Sequence, residues 1–162
     1  MPTAGYSSTP LLKKLGLKPE YRIWLLNPPA NYADLLEYDP ARQIADPKDP
    51  KQVPDWAHLF ATNQKEFEKG MQLLTLAAYG KKATATRRPP AGGISLPTEI
   101  SDRNPKLIVW VSWYKKAARI TTDLDENIIR DYALANGWVD VKVCAVSQQW
   151  SGLKLVIPLN KR

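Results

Sequence analysis

An α/β fold, with a mostly parallel sheet, helices on both faces and a C-terminal antiparallel β-hairpin, is what this 162-residue chain predicts. Three observations point there. Strand-like apolar runs alternate with helix-like stretches, the order that feeds a parallel sheet. The run Leu107-Ile108-Val109-Trp110-Val111-Ser112-Trp113 is continuously apolar, as a strand covered on both faces requires. The last two strand-like segments, Trp138 to Val146 and Leu153 to Ile157, are separated only by Ser147 to Gly152, and so short a connection forces antiparallel pairing.

Each element has its own signal. Thr9-Pro10-Leu11-Leu12-Lys13-Lys14-Leu15-Gly16 reads as a short helix, with Thr9 as N-cap, Pro10 at the first helical position and Gly16 as the stop. A strand over 22–26 follows, then a short helix from about Asn31. Residues 37–55 hold Pro40, Pro47, Pro50 and Pro54, which permits at most a short edge strand near Ile44. Trp56 to Ala61 is the next strand, and Asn63-Gln64-Lys65-Glu66 has the capping-box pattern that opens a helix to about Tyr79. A further helix is expected from Asp123 to Asn136, capped by Thr122 or Asp123 and stopped by Gly137. In the segment 138–146, Val139, Val141, Val143 and Ala145 alternate with Asp140 and Lys142, which predicts one apolar and one charged face.

Length fits one domain, large enough to bury roughly 70% of the surface of the unfolded chain, with a basic insertion at about 80–106. The formal net charge is +7. In that insertion Lys81, Lys82, Arg87, Arg88, Arg103 and Lys106 face only Glu99 and Asp102, six basic residues against two acidic ones and a net of +4. A Pro-, Gly- and Thr-rich segment of this kind reads first as a solvated loop and second as a nucleic-acid contact. One cysteine, Cys144, and one histidine, His58, exclude a Cys/His zinc centre, and no metal site is expected. No apolar stretch is long enough to span a bilayer, and the N-terminus lacks a signal-peptide pattern; a cytoplasmic domain with no membrane partner is expected.

The first strand runs into Asn27-Pro28-Pro29, where nucleotide-binding α/β folds place glycines. Proline offers no N–H to a phosphate, so the sheet is methyltransferase-like in its antiparallel ending but lacks the glycine-rich cofactor loop, and no cofactor is expected. Asn-Pro-Pro-Ala also stands one residue from the Asn-Pro-Pro-Tyr signature of amino-group methyltransferases, with Tyr32 two positions late. A divergent methyltransferase acting on an amine is therefore the alternative from the enzyme class.

Four groups of residues carry a resemblance. They are Gly5-Tyr6-Ser7 with Thr9-Pro10-Leu11 and Lys13-Lys14-Leu15-Gly16; Trp110-Val111-Ser112-Trp113 with Lys115-Lys116; Thr122-Asp123-Leu124; and Val139-Asp140-Val141-Lys142-Val143 followed by Trp150-Ser151-Gly152-Leu153-Lys154. Together they are similar to a small bacterial domain-of-unknown-function family. The resemblance implies a cytoplasmic domain with no assigned reaction. The chain departs from that pattern in its basic insertion and in Tyr114, where the family tends to have proline.

Carboxyl ends of parallel strands are where open sheets bind ligands, so the candidate ligand-binding residues are Asn27, Tyr32, Thr62, Asn63, Trp113, Tyr114, Lys115 and Lys116. Lys115 and Lys116 offer mobile positive charges, and Trp113, Tyr114 or Tyr32 a ring to stack on. The bland reading is a solvated Lys-Lys loop with core tryptophans. Asp123, Asp125 and Glu126 read as helix-start carboxylates, Asp140 and Lys142 as residues of one strand face that pair with each other or sit beside Lys154 of the hairpin in a structural ion pair, and His58 as a satisfied interior histidine. No catalytic set is assigned. The function expected is a non-catalytic binding or regulatory domain that engages an anionic small molecule or an acidic protein, with nucleic acid through the basic loop as a further partner.

Overall fold

A computed structural model describes residues 9–49, 52–80 and 103–162. Most of the basic insertion, 81–102, and the first eight residues with Gly5-Tyr6-Ser7 lie outside the described residues. The elements run in chain order as α1 (Leu11–Leu15), β1 (Ile23–Leu26), α2 (Tyr32–Leu36), β2 (Trp56–Phe60), α3 (Gln64–Tyr79), β3 (Ile108–Tyr114), α4 (Glu126–Ala135), β4 (Val139–Ala145) and β5 (Trp150–Val156).

The five strands form one mixed sheet in the order β1-β2-β3-β5-β4. Only β1, β2 and β3 pair in parallel; β5 is antiparallel to β3 on one side and to β4 on the other. The expectation of a mostly parallel, Rossmann-like sheet with helices on both faces is therefore overturned. Half of the strand pairings are antiparallel, and the two long helices both pack on one face, where Phe67, Met71 and Leu74 of α3 and Ile129 and Ala133 of α4 meet Ala57, Leu59, Val109, Val111 and Leu153. Among the described residues the other face carries only the single-turn helices α1 and α2, through Leu11, Leu15, Tyr32 and Leu36. The physical reason is the middle of the chain. The prolines at 40, 47 and 54 allow no helix between β1 and β2 beyond α2 and a three-residue 3₁₀ turn, so one face lacks a full crossover helix.

Two central strands are buried on both faces, which explains their unbroken apolar sequence: every residue of β2 and Val109 to Trp113 of β3 is buried. On the second face both indole N–H groups, from Trp56 of β2 and Trp110 of β3, donate to the carbonyl of Leu15 at 3.1 and 2.9 Å. That carbonyl is the last of α1 and has no helical partner. Gly16, in the left-handed region at φ 66°, turns the chain there and closes the helix with its own N–H on Leu12 and Lys13. The N-cap of α1 is Pro10, not the expected Thr9, and Pro10 offers no side-chain cap.

Strand β4 departs from its predicted faces. A bulge between Asp140 and Lys142 leaves Val141 without a register partner, while Asp140 opposes Leu155 and Lys142 opposes Lys154. The extra residue moves Asp140 to the first face and Lys142 to the second. Asp140 then accepts from Arg130 of α4 at 3.0 Å, and Lys142 reaches the Lys14 carbonyl at 3.4 Å. They are not the pair that simple alternation implies.

Gly152 of β5 sits where a side chain has no room: a Cβ there would lie 2.9 Å from Cγ2 of Val146 and 3.3 Å from Cε3 of Trp110. Both neighbours are stiff and fully buried. Gly152→Ala is expected to lower stability by about 1–3 kcal/mol through overpacking, measured by urea denaturation, whereas Ser151→Ala beside it is expected to change it by less than about 0.5 kcal/mol, as surface-like substitutions do. Equal effects would remove the close-approach explanation.

Candidate functional site

The carboxyl end of β3 opens into a cavity of about 850 Å³ on the first face. One wall is Trp113, Tyr114, Lys115 and Lys116, with Ser151 of β5 at the base; the other is the loop Ile120 to Asp125 with Glu126 and Asn127 at the start of α4. Sheet register explains the base, since Trp113 pairs with Ser151 across β3 and β5. Lys115 is held by its backbone N–H on the Gln149 carbonyl at 2.8 Å, so the chain leaving β3 stays beside the β4–β5 turn. Four of the eight candidate residues therefore line one cavity.

The opposite wall is fixed from behind. Asp123 accepts from the Gln64 N–H at 2.8 Å and its carbonyl from the Gln64 side chain at 2.7 Å, while Thr122 donates to the Thr62 carbonyl at 2.7 Å. These bonds tie the loop before α4 to the start of α3. Thr62 and Asn63 thus brace the wall without lining it. Asn63 caps α3 by accepting from Glu66 N–H at 2.9 Å, and Glu66 in turn accepts from the Thr62 N–H and hydroxyl. The reciprocal capping pattern is present, shifted by one residue from the expected Asn63 backbone.

The cap of α4 is Asp125, which accepts from Ile128 N–H at 2.9 Å; of the expected caps, Thr122 instead donates to Thr62 before α3 and Asp123 accepts from Gln64 at its start. Glu126 pairs with Arg130 at 2.6 Å, so Arg130 bridges α4 and β4 through Glu126 and Asp140, and the two carboxylates raise its pKa. Among the described residues Lys115 and Lys116 form no ion pair, although three carboxylates stand across the cavity.

Asn27 and Tyr32 lie elsewhere. Asn27 adopts the left-handed conformation at φ 56°, which asparagine tolerates better than most residues, and its side chain donates to the Phe60 carbonyl at 3.3 Å. The Asn-Pro-Pro turn is a strand exit. Tyr32 was expected as a stacking ring at the rim; its side chain instead turns under the sheet, because the first turn of α2 aims it at the apolar second face. There its hydroxyl meets Nδ1 of His58 at 2.8 Å, and Nε2 of His58 meets the Ser112 hydroxyl at 2.7 Å. His58 also stacks on Phe60 at 4.2 Å between ring centroids.

This Tyr32–His58–Ser112 chain is sealed, with His58 and Ser112 fully buried. Desolvation lowers the His58 pKa from 6.5 to about 3, and burial pushes the Tyr32 phenol up. A neutral imidazole donates through one nitrogen and accepts through the other, which a hydroxyl on each side satisfies in either tautomer. Sequence placed His58 inside the protein but gave no sign of its two partners, which come from elements 26 and 54 residues away.

Comparison with family models, curated proteins and solved structures finds no match to this chain. Among the described residues no helix is long and apolar enough to cross a membrane, and no three His, Cys, Asp or Glu side chains converge as metal ligands.

A pH prediction follows from the sealed histidine. The folded state keeps His58 neutral down to about pH 3, whereas the unfolded chain protonates it near 6.5. The unfolded state therefore binds the extra proton between these values. The His58 contribution is complete above 6.5 and falls by about 1.4 kcal/mol per pH unit below it. As His58 is the sole histidine, its imidazole NMR signals are expected to stay unprotonated from pH 8 to about pH 5. Titration near 6.5 in the folded protein would contradict the sealed geometry. Tyr32→Phe, which leaves a buried ring nitrogen unpaired, is expected to cost about 1–3 kcal/mol in urea denaturation.

Proposed function

We propose that this protein is a binding domain that takes an anionic small molecule in the cavity at the end of β3. The observation that carries the reading is a cavity of about 850 Å³ whose strand-side wall presents Lys115 and Lys116, neither ion-paired among the described residues. Lysine suits this role as a mobile point charge that meets a phosphate or carboxylate without a fixed fork geometry. Trp113 and Tyr114 supply an apolar flank for the remainder of the ligand.

A second feature supports it. The lining draws on Trp113, Lys115-Lys116, Thr122-Asp123-Leu124 and Ser151, which belong to three of the residue groups that resemble the small bacterial family. We read that likeness as a shared pocket. The reading places the protein with binding or regulatory domains, and the carboxylates opposite the lysines give the cavity polarity that orients a ligand.

A bound anion stabilises the folded state by about 2.7 kcal/mol at a hundredfold excess over its dissociation constant, which for a domain of this size raises Tm by roughly 5–10 °C. Thermal-shift screening of phosphorylated metabolites and dicarboxylates is expected to find such a ligand. Lys115→Ala/Lys116→Ala is expected to abolish the shift while leaving the unliganded Tm within about 2 °C, because Lys116 is exposed, Lys115 half-buried, and neither forms an ion pair among the described residues. A stabilising ligand that acts equally on the double variant would place its site elsewhere and defeat the proposal.

A further inference from the structure

The second face of the sheet carries a lysine row unrelated to the cavity walls. In the β4–β5 register Lys142 stands directly opposite Lys154, and Lys154 in turn opposes Trp110, which places both ammonium groups on the face that holds α1. Like charges directly opposed across an antiparallel pair repel and are destabilising. Neither lysine has an ion pair among the described residues. Lys142 is turned toward α1, with its ammonium 3.4 Å from the Lys14 carbonyl.

Cys144 lies two residues along β4 from Lys142, opposite Gly152. Burial pushes its thiol up, and the charges of Lys14, Lys142 and Lys115 pull it back. Positive charge therefore reaches this stretch of the strand. The row ends at Tyr114, a half-buried ring stacked on Trp150 at 4.4 Å between centroids. Lys154 stands four positions along β5 from Trp150, which is about 13 Å of strand.

We infer that this face, from Tyr114 to the opposed Lys142 and Lys154, binds single-stranded nucleic acid. The span is the reason to prefer a polymer, since a base on Tyr114 and a phosphate held by Lys142 and Lys154 would stand about 13 Å apart, farther than one small anion reaches. The aromatic pair at one end is the reason to prefer nucleic acid to an acidic peptide. A positive track beside a ring on which a base can stack is the arrangement that holds single strands without reading sequence. The inference goes beyond the small-molecule cavity, because Lys142 and Lys154 do not line it.

Fluorescence anisotropy with a labelled oligothymidylate and a labelled oligouridylate tests it, using the full chain at low and moderate salt. Binding is expected at low salt, with log affinity falling against log salt at a slope of about −1.4 for two phosphate contacts. Lys142→Ala/Lys154→Ala is expected to weaken it at least tenfold, and Lys154→Ala alone, which keeps the Lys142 bond to α1, by a smaller factor. Lys65→Ala/Lys69→Ala on α3 removes the same charge elsewhere and is expected to change affinity less than twofold. Melting temperatures of all variants establish that they fold. Equal losses in the two double variants would show that net charge alone attracts the oligonucleotide, and no binding at low salt would refute the site. Polyglutamate binding as tightly as the oligonucleotides at matched charge would assign the face to an acidic protein and overturn the nucleic-acid reading. Loss in Lys115→Ala/Lys116→Ala of small-anion stabilisation but not of oligonucleotide binding would keep the cavity separate from this face.

Discussion

Strands β2 and β3 are buried on both sides, so every polar group they carry must find its partner inside the protein, and the rest of the structure is arranged around that demand. The second face shows how it is met. His58 and Ser112 satisfy each other and Tyr32, while Trp56 and Trp110 share the terminal carbonyl of α1. A five-residue helix is not stable by itself in water. Here α1 is held by two indole bonds at its end and by Leu11 and Leu15 against the strands, which gives a single turn a fixed place over the sheet.

The same demand accounts for the division of labour between the faces. Long helices α3 and α4 cover the first face with aliphatic side chains and the ring pair Phe67–Tyr132, and α3 is buried from Gly70 to Ala78. Among the described residues the second face has no such helix, and Tyr32, Trp56, His58, Phe60 and Trp150 form a continuous series of edge and stacked contacts there. Aromatic side chains remove large areas from water with little backbone, which suits a face covered by single turns.

Much of this was legible in the sequence, and the failures have particular causes. Strands β2 and β3, the helix after Asn63, the stop at Gly16 and the terminal hairpin all follow from apolar runs and turn residues close together in the chain. Mixed pairing was not legible, because strand order is set by which edge of β3 the last strand adds to, a choice no local pattern encodes. The bulge in β4 was hidden for a related reason: a strictly alternating Val-Asp-Val-Lys-Val run gives no sign of one unpaired residue, yet it separates Asp140 from Lys142. Of the candidate residues, those contiguous at the end of β3 stayed together in one cavity, whereas Asn27, Thr62 and Asn63 were assigned from their place at strand ends alone and Tyr32 from its ring after the Asn-Pro-Pro turn. Tyr32 went to the core because a ring beside an otherwise uncovered imidazole removes more apolar surface than one left at the rim.

The cavity itself is a product of the mixed topology. Where β3 ends, its neighbour β5 begins, so the hairpin turn stands where a parallel neighbour would send a loop away over the sheet. The bond from Lys115 to Gln149 draws the outgoing chain toward that turn. The same chain must then reach α4 on the first face, and Asp123 and Thr122 bind it to the start of α3 on the way. One segment is thus fastened at two points, to the hairpin and to α3, and its span between them cannot lie flat on the sheet. The gap beneath it is the cavity, and the residues at its mouth are those that cross: two lysines leaving the strand and the carboxylates that precede the helix. Its charge follows from the ends it joins, since acidic side chains are favoured at the start of a helix and the lysines stand where β3 leaves the covered core for solvent.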